Sequence, residues 1–346
     1  MPLTPKTLLL AVAVLLAIAA GLLYIVPSHS AGPKVVVYTS VDTEFAQPLF
    51  ERFKKETGIE IIPHFSDEAS KTTEMADRLV QLKDNPDGDV FWNSELSFTQ
   101  VLAVKNALDK YESPQAKDIP AEFKDPAGRW TGFGCRVRVL IYNTQRVKPD
   151  EVPATLEGLA DPRWTGRFTI AKPIFGTTRS HLVSLVVALG EEKAFRLFRA
   201  WRENGVVLAE SNSDVRERVA DGRSEIGLTD TDDAYSAIDR HKPVDFSIPD
   251  QTREWSGAYL VPNTVSMLKN CPHPKEARVF IDYLLQPQIE AWLAEQDSRQ
   301  IPVRDLSTKL PEKLRHLKAA KVDVQKLSEQ VLPMGERIYR ILRGEE

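Results

Sequence analysis

Residues 225–235 read Glu-Ile-Gly-Leu-Thr-Asp-Thr-Asp-Asp-Ala-Tyr, which puts Asp230, Asp232 and Asp233 directly after a short apolar run. A run of that length bounded by polar residues reads as a buried strand of an α/β sheet. The loop at the carboxyl end of such a strand is where open α/β sheets bind ligands. Carboxylates beside a buried edge need a cation, an amine or donated hydrogen bonds. As oxygen ligands, Asp232 and Asp233 suit a hard cation such as ferric iron, magnesium or calcium. As acceptors they suit an ammonium group or the hydroxyls of a sugar. As plain structure, Asp230 caps a helix beginning near Asp233 and the other two are solvated.

Further polar clusters follow other strand-like runs. Thr39, Ser40 and Asp42 stand just past the first, where they either line a ligand or, for Asp42, cap the next helix. Asn93, Ser94 and Glu95 stand past the third with the same two readings. The segment 175–180, Phe-Gly-Thr-Thr-Arg-Ser, opens a helix. Free amides and the helix dipole there favour an anion, and Thr177, Thr178 and Arg179 add donors. The alternative is an N-cap by Thr177 or Thr178 with Arg179 solvated. Arg136 and Arg138 alternate onto one face of a strand and either face the cleft or pair with surface acids. An acidic loop beside an anion-binding helix end suits a zwitterion, or a metal held with a bridging anion.

Placing these clusters together requires a particular order of elements. Strand signals cover residues 34–40, 59–65 and 89–92, with helical spacing over 44–57 and 70–83 between them. That alternation predicts a parallel sheet with crossover helices. Residues 136–142, 166–170, 206–209 and 225–228 continue as strands, and 180–189, 192–204 and 213–221 as helices. A strand over 259–268 carries Pro262, which suggests a crossing or edge position. Helices follow over 274–285, 288–295 and 324–342, and the last are expected to return to the first sheet. The fold class is therefore α/β: two lobes joined by two crossing strands, residues 34–136 with 264–346 and residues 137–263. Two crossings make a hinge, and ligands favour such interfaces.

The chain has 346 residues, with 49 acidic against 45 basic, and no basic stripe that would suit nucleic acid. Residues 8–26 are apolar and uncharged, and Ser28 and Ser30 follow as cleavage-site residues. Residues 1–30 thus form a signal peptide or an uncleaved anchor, and the remainder is expected to be exported and periplasmic. Cys135 and Cys271, the two cysteines, form either one disulfide or two buried thiols.

The run Val-Val-Val-Tyr-Thr-Ser at 35–40, then Phe50-Glu51-Arg52-Phe53 through Ile59, Asp89-Val90-Phe91-Trp92, residues 138–143, 161–167 and 274–284 together resemble extracellular solute-binding proteins of ABC importers. The closest branch is similar to the periplasmic ferric-iron-binding proteins and their relatives that bind phosphorylated or phosphonate solutes. The resemblance implies a bilobal type 2 periplasmic binding protein fold, expected as a monomer, that closes on a small ligand and delivers it to a membrane permease. It implies Fe3+ or a phosphate-like anion as cargo, no enzyme activity, an anion site at residues 175–180, and Asn212 and Ser213 as helpers. Iron-binding members carry adjacent tyrosines where this loop has aspartates, and Tyr235 is the tyrosine left nearby. The first-loop histidine of some members falls at Asp42, and an acidic ligand near Ser94 or Glu95.

Two other classes stand beside that one. Asp230 and Asp232 form an Asp-x-Asp pattern of the kind that holds a divalent metal in glycosyltransferases, and a related pattern occurs in phosphatases with an aspartyl nucleophile. A membrane-tethered sensor domain on the same fold is the other, should the leader stay attached.

Overall fold

β-branched Val35, Val36 and Val37 suit a pleated, buried surface and open β1 (Lys34–Thr39). The computed structural model describes residues 32–66, 73–174, 176–251, 257–315 and 317–346. The leader, residues 70–72 of an expected helix, and Phe175 lie outside the described residues. Among those described, no helix is long and apolar enough to cross a membrane.

From β1 the chain passes through α1 (Thr43–Thr57), β2 (Glu60–Phe65), α2 (Thr73–Gln81), β3 (Val90–Asn93) and α3 (Leu96–Val104). β1 pairs in parallel with both β2 and β3, as crossover helices require. α1 stops at Gly58, whose φ of 72° lets its N–H reach back to the Lys54 carbonyl. Next comes β4 (Thr131–Asn143), thirteen residues long and buried throughout. Then follow β5 (Phe168–Ala171), α4 (Gly176–Leu189), α5 (Glu191–Glu203), β6 (Val207–Ala209), α6 (Asn212–Ala220), β7 (Ile226–Asp230), α7 (Thr231–Asp239), β8 (Val244–Ser247) and β9 (Leu260–Met267). The last helices are α8 (Pro274–Leu284), α9 (Pro287–Glu295) and α10 (Val324–Arg343).

The strands run in the order β2-β1-β3-β9-β4-β7-β5-β6, with β8 also on β4. β4 serves two sheets. Its residues 131–137 lie antiparallel to β9, and Arg138 to Tyr142 lie antiparallel to β7. At the change-over the register slips between Phe133 and Cys135, and Gly134 takes a φ of 46°. Pro262 sits opposite Cys135 at this bulge, where its missing N–H costs no ladder bond, because the Cys135 carbonyl accepts the Ile301 N–H instead. The two crossing strands are therefore β4 and β9, and each half of the sheet carries apolar clusters of its own.

Two expectations are corrected and one open alternative is resolved. The last helix does not simply return to the first sheet. Leu327, Ile338, Ile341 and Leu342 of α10 enter the core of the second half, while Val331 enters a core of the first. Its apolar stripe is long enough to serve both. No disulfide forms: Cys135 and Cys271 are free, the first buried and the second partly so. The strand expected to end at Leu228 continues through Thr229 to Asp230, which pair with Val139 and Arg138. α3 and β8 went unread, the first because it is apolar all round and the second because it is four residues long.

Candidate functional site

The carboxyl ends of β1, β3, β5, β6 and β7 open onto one polar cleft between the two halves of the sheet. Ser40 and Asp42 come from the turn after β1 and Ser94 from the turn after β3. The second half supplies Arg136, Lys172, the starts of α4 and α6, and the carboxylates of the β7–α7 turn.

Arg138 organises the floor of this cleft. It stands opposite Asp230 in the β4–β7 register, and its Nη1 donates to Asp230 Oδ1 at 2.9 Å. The same nitrogen donates to Thr177 Oγ1 at 3.2 Å and Asn212 Oδ1 at 3.1 Å. Nη2 donates to Thr178 Oγ1 at 3.1 Å and to the Leu228 carbonyl at 3.2 Å. Thr177 gives its own proton to Asp230 Oδ2 at 2.8 Å and accepts from Asn212 Nδ2 at 2.8 Å. The two threonine hydroxyls are thus neither helix caps nor free donors. They lock the start of α4 to the start of α6, where Ser211 caps the Asp214 N–H.

The other two aspartates face the cleft more openly. Asp232 Oδ1 accepts the Asp233 N–H at 3.0 Å, and Oδ2 accepts from Arg136 Nη1 at 3.3 Å. Asp233 accepts from the Thr229 hydroxyl at 2.9 Å and from Arg216 Nη1 at 3.5 Å. Single carboxylate oxygens of Asp230, Asp232 and Asp233 lie within 4.8 Å of one another, close enough to share a metal ion. Burial, reinforced by Asp230 and Asp42, pushes the Asp232 carboxyl up to about 6 against the pull of Arg136. Burial and the charges of Asp232 and Asp230 push Asp233 well above the ordinary range.

Of the residues singled out in the sequence, Ser40, Asp42, Ser94, Arg136, Thr177, Thr178, Asn212, Ser213, Asp230, Asp232 and Asp233 line the cleft together. Neither proposed cap is made: Asp42 and Asp230 sit at helix starts without a side-chain cap bond. Five others fall elsewhere. Thr39 is buried and accepts the Val41 N–H at 3.1 Å. Asn93, also buried, accepts from Ser40 Oγ at 2.6 Å and donates to Thr99 at 3.1 Å, so it braces the first turn from behind. Glu95 caps α3 through the Ser97 and Phe98 N–H groups and takes a 2.8 Å bond from Ser180 on α4. Arg179 turns away to Glu336 of α10, over the Phe98 ring. Tyr235 packs edge-on against Phe246 with Arg299 over its ring, and burial pushes its hydroxyl up to about 12. A tyrosinate ligand is not on offer there.

Sequence reading left Arg138 open between cleft and surface, and passed over Lys172, Glu210 and Ser211. The last three stand just past β5 and β6, so the rule applied to β1, β3 and β7 would have found them. Lys172 and Glu210 pair at 2.6 Å at the edge of the cleft. Asp230 of the Asp-x-Asp pattern is paired with Arg138 at 2.9 Å.

The model of the family described as bacterial extracellular solute-binding protein matches residues 89–324. The chain is 28% identical to iron uptake protein A1 of Synechocystis sp., over 78% of this chain and 76% of that protein. It is 25% identical to the Fe(3+)-binding periplasmic protein of Serratia marcescens, over 86% and 88%. The crystal structure of iron-bound HitA from Pseudomonas aeruginosa shares the fold, with a TM-score of 0.78 at 20% identity, covering 90% of this chain and 99% of that one. A bilobal α/β fold, a polar cleft at the crossing strands and a family match over most of the chain agree: this protein belongs to the bacterial extracellular solute-binding proteins.

Proposed function

We propose that the protein captures a hard cation, ferric iron foremost, together with a small anion, and hands it to a membrane permease. The family is one of binding proteins, so the chain is a transport component and not an enzyme. One observation carries the cation reading. The cleft is lined by Asp42, Glu210, Asp230, Asp232 and Asp233 against Arg136 and Lys172. Arg138 neutralises Asp230 and Lys172 neutralises Glu210. Asp232 and Asp233 stand against Arg136 and Arg216, yet one oxygen of each and one of Asp230 lie within 4.8 Å of one another. Carboxylate oxygens gathered that closely favour a cation, and a hard one. The names of the two relatives, an iron uptake protein and an Fe(3+)-binding protein, support iron. The bridging anion would sit at the first turns of α4 and α6.

Closure follows from the layout. Residues 34–136 with 264–346 form one lobe and 137–263 the other, hinged where β4 and β9 cross, with α10 leaning on both. A solute that touches both lobes stabilises only the closed form, so its differential affinity drives closure. Read as a secretion leader or anchor, residues 1–30 would carry the receptor, taken as a monomer, across the inner membrane.

A second reading, a phosphorylated or phosphonate organic anion, is favoured by the two helix starts and Lys172 at the cleft. Titration calorimetry with ferric nitrilotriacetate and with glycerol phosphate separates the two. Asp232→Asn with Asp233→Asn is expected to abolish the ferric signal. Ferric affinity that survives this change intact removes the cation reading, and glycerol phosphate binding by wild type and variant alike supports the second.

A further inference from the structure

Arg136 stands against Asp232, one of the carboxylates that a cation would use. It rises from the crossing strand β4 and is buried, with 9% of its side chain exposed. Its Nη2 is anchored to the Ser94 carbonyl at 2.6 Å, on the first half of the sheet. Its Nη1 leans on Asp232 Oδ2 at 3.3 Å, on the second half. Charge-assisted N–H···O contacts usually lie near 2.7–2.9 Å, so the Asp232 contact is loose while the Ser94 contact is tight. Its Nε is buried and has no hydrogen-bond partner. Asp232 Oδ1 already takes the Asp233 N–H, so Oδ2, the oxygen Arg136 holds, is the one left for a metal.

From this geometry we infer that Arg136 is a resident counter-ion, which neutralises the Asp232–Asp233 end of the cleft until a cation arrives and must yield Asp232 for that cation to bind. The inference rests on the cation reading above. Two positive charges cannot both sit on one buried carboxylate oxygen without strong repulsion, because the low local dielectric screens them poorly. Arg136 therefore opposes binding, and it lies ready to reclaim Asp232 when the cation leaves. The tight Ser94 anchor gives the guanidinium somewhere to stay when Asp232 is lost. Arg136 thereby sets the affinity and exit rate of the cargo. A group serving as an anchor for an anion would do the opposite, since its removal weakens binding.

The test uses the purified protein with ferric iron supplied as its nitrilotriacetate complex, at neutral pH. Arg136→Gln is expected to bind ferric iron roughly tenfold more tightly and to release it to a competing chelator roughly tenfold more slowly. The metal-induced rise in Tm should also be larger in the variant than in wild type, a readout that mere damage to the fold would not enlarge. Arg136→Lys keeps the charge but cannot span Ser94 and Asp232 together, so a smaller change in the same direction is expected. This second variant carries the test should Gln prevent folding. Weaker or unchanged binding in both variants, with wild-type binding intact, overturns the counter-ion role and leaves the cation reading standing. Absence of ferric binding by wild type itself overturns both.

Discussion

Arg138 and Asp230 face each other across the β4–β7 register and close a buried ion pair at 2.9 Å. The pair also fixes Thr177, Thr178 and Asn212, so one guanidinium decides where two helices begin. Removing one partner strands a buried charge. Arg138→Met is expected to cost about 3–5 kcal/mol of unfolding free energy, whereas Arg138→Met with Asp230→Leu should recover a good part of it. Urea unfolding of the two variants checks this, and equal losses would deny the pairing its role.

Stability should depend on pH through Asp232. Its folded carboxyl titrates at about 6, above the unfolded value of about 3.9. The folded state therefore holds more protons than the unfolded one between those values, and stability from this group falls as pH rises through that window. Cation-free protein is expected to lose stability between pH 4 and pH 6, with Asp232→Asn flattening that slope; both pH limits are approximate, about one unit either way. Cation affinity should move the other way and decline below about pH 6, because the metal must displace a proton. Melting curves across pH for wild type and variant read the first effect, and chelator competition reads the second.

Thr177 is a joint between charged groups. It accepts from Arg138 and Asn212 while donating to Asp230. Thr177→Val should cost about 1–3 kcal/mol, since it leaves buried polar groups short of a partner. Thr177→Ser, which keeps the hydroxyl, should lose much less. A Val variant as stable as the Ser variant in denaturant would show that the joint is dispensable.

Gly335 lets α10 lie close to α4. A Cβ there would stand 2.7–2.8 Å from Nε, Cδ and Cγ of Arg179, a buried side chain held over the Phe98 ring. Gly335→Ala is expected to destabilise by about 1–3 kcal/mol through overpacking, with solute affinity largely unchanged. Differential scanning calorimetry beside a binding titration checks both halves. Unaltered Tm would mean that Arg179 can move aside.

The α/β order and the two crossing strands were legible because hydrophobic period and strand-end polarity are local signals. Asp232 and Asp233 could be placed in a cleft by the same logic. What each polar residue does there was not legible. Asp230 and Asp232 are two positions apart and both line the cleft, yet one pairs with Arg138 and the other with Arg136, a difference set by a strand 92 to 96 residues earlier. Glu95 reads equally as a ligand or a cap and serves as a cap, while its neighbour Ser94 lines the site. Lys172 stands one residue past β5, where the strand-end rule that marks Asp232 and Asp233 applies equally.

The amphipathic stripe of α10 carries a consequence for how the chain is made. The cluster around Leu140, Phe168 and Trp201 is closed by Leu327, Ile338, Ile341 and Leu342. Residues near 140 must therefore wait for partners about two hundred positions downstream, a long-range closure that slows folding. A chain that had to cross a membrane unfolded would gain time from that delay. Its second core cannot set until residue 342 has been delivered.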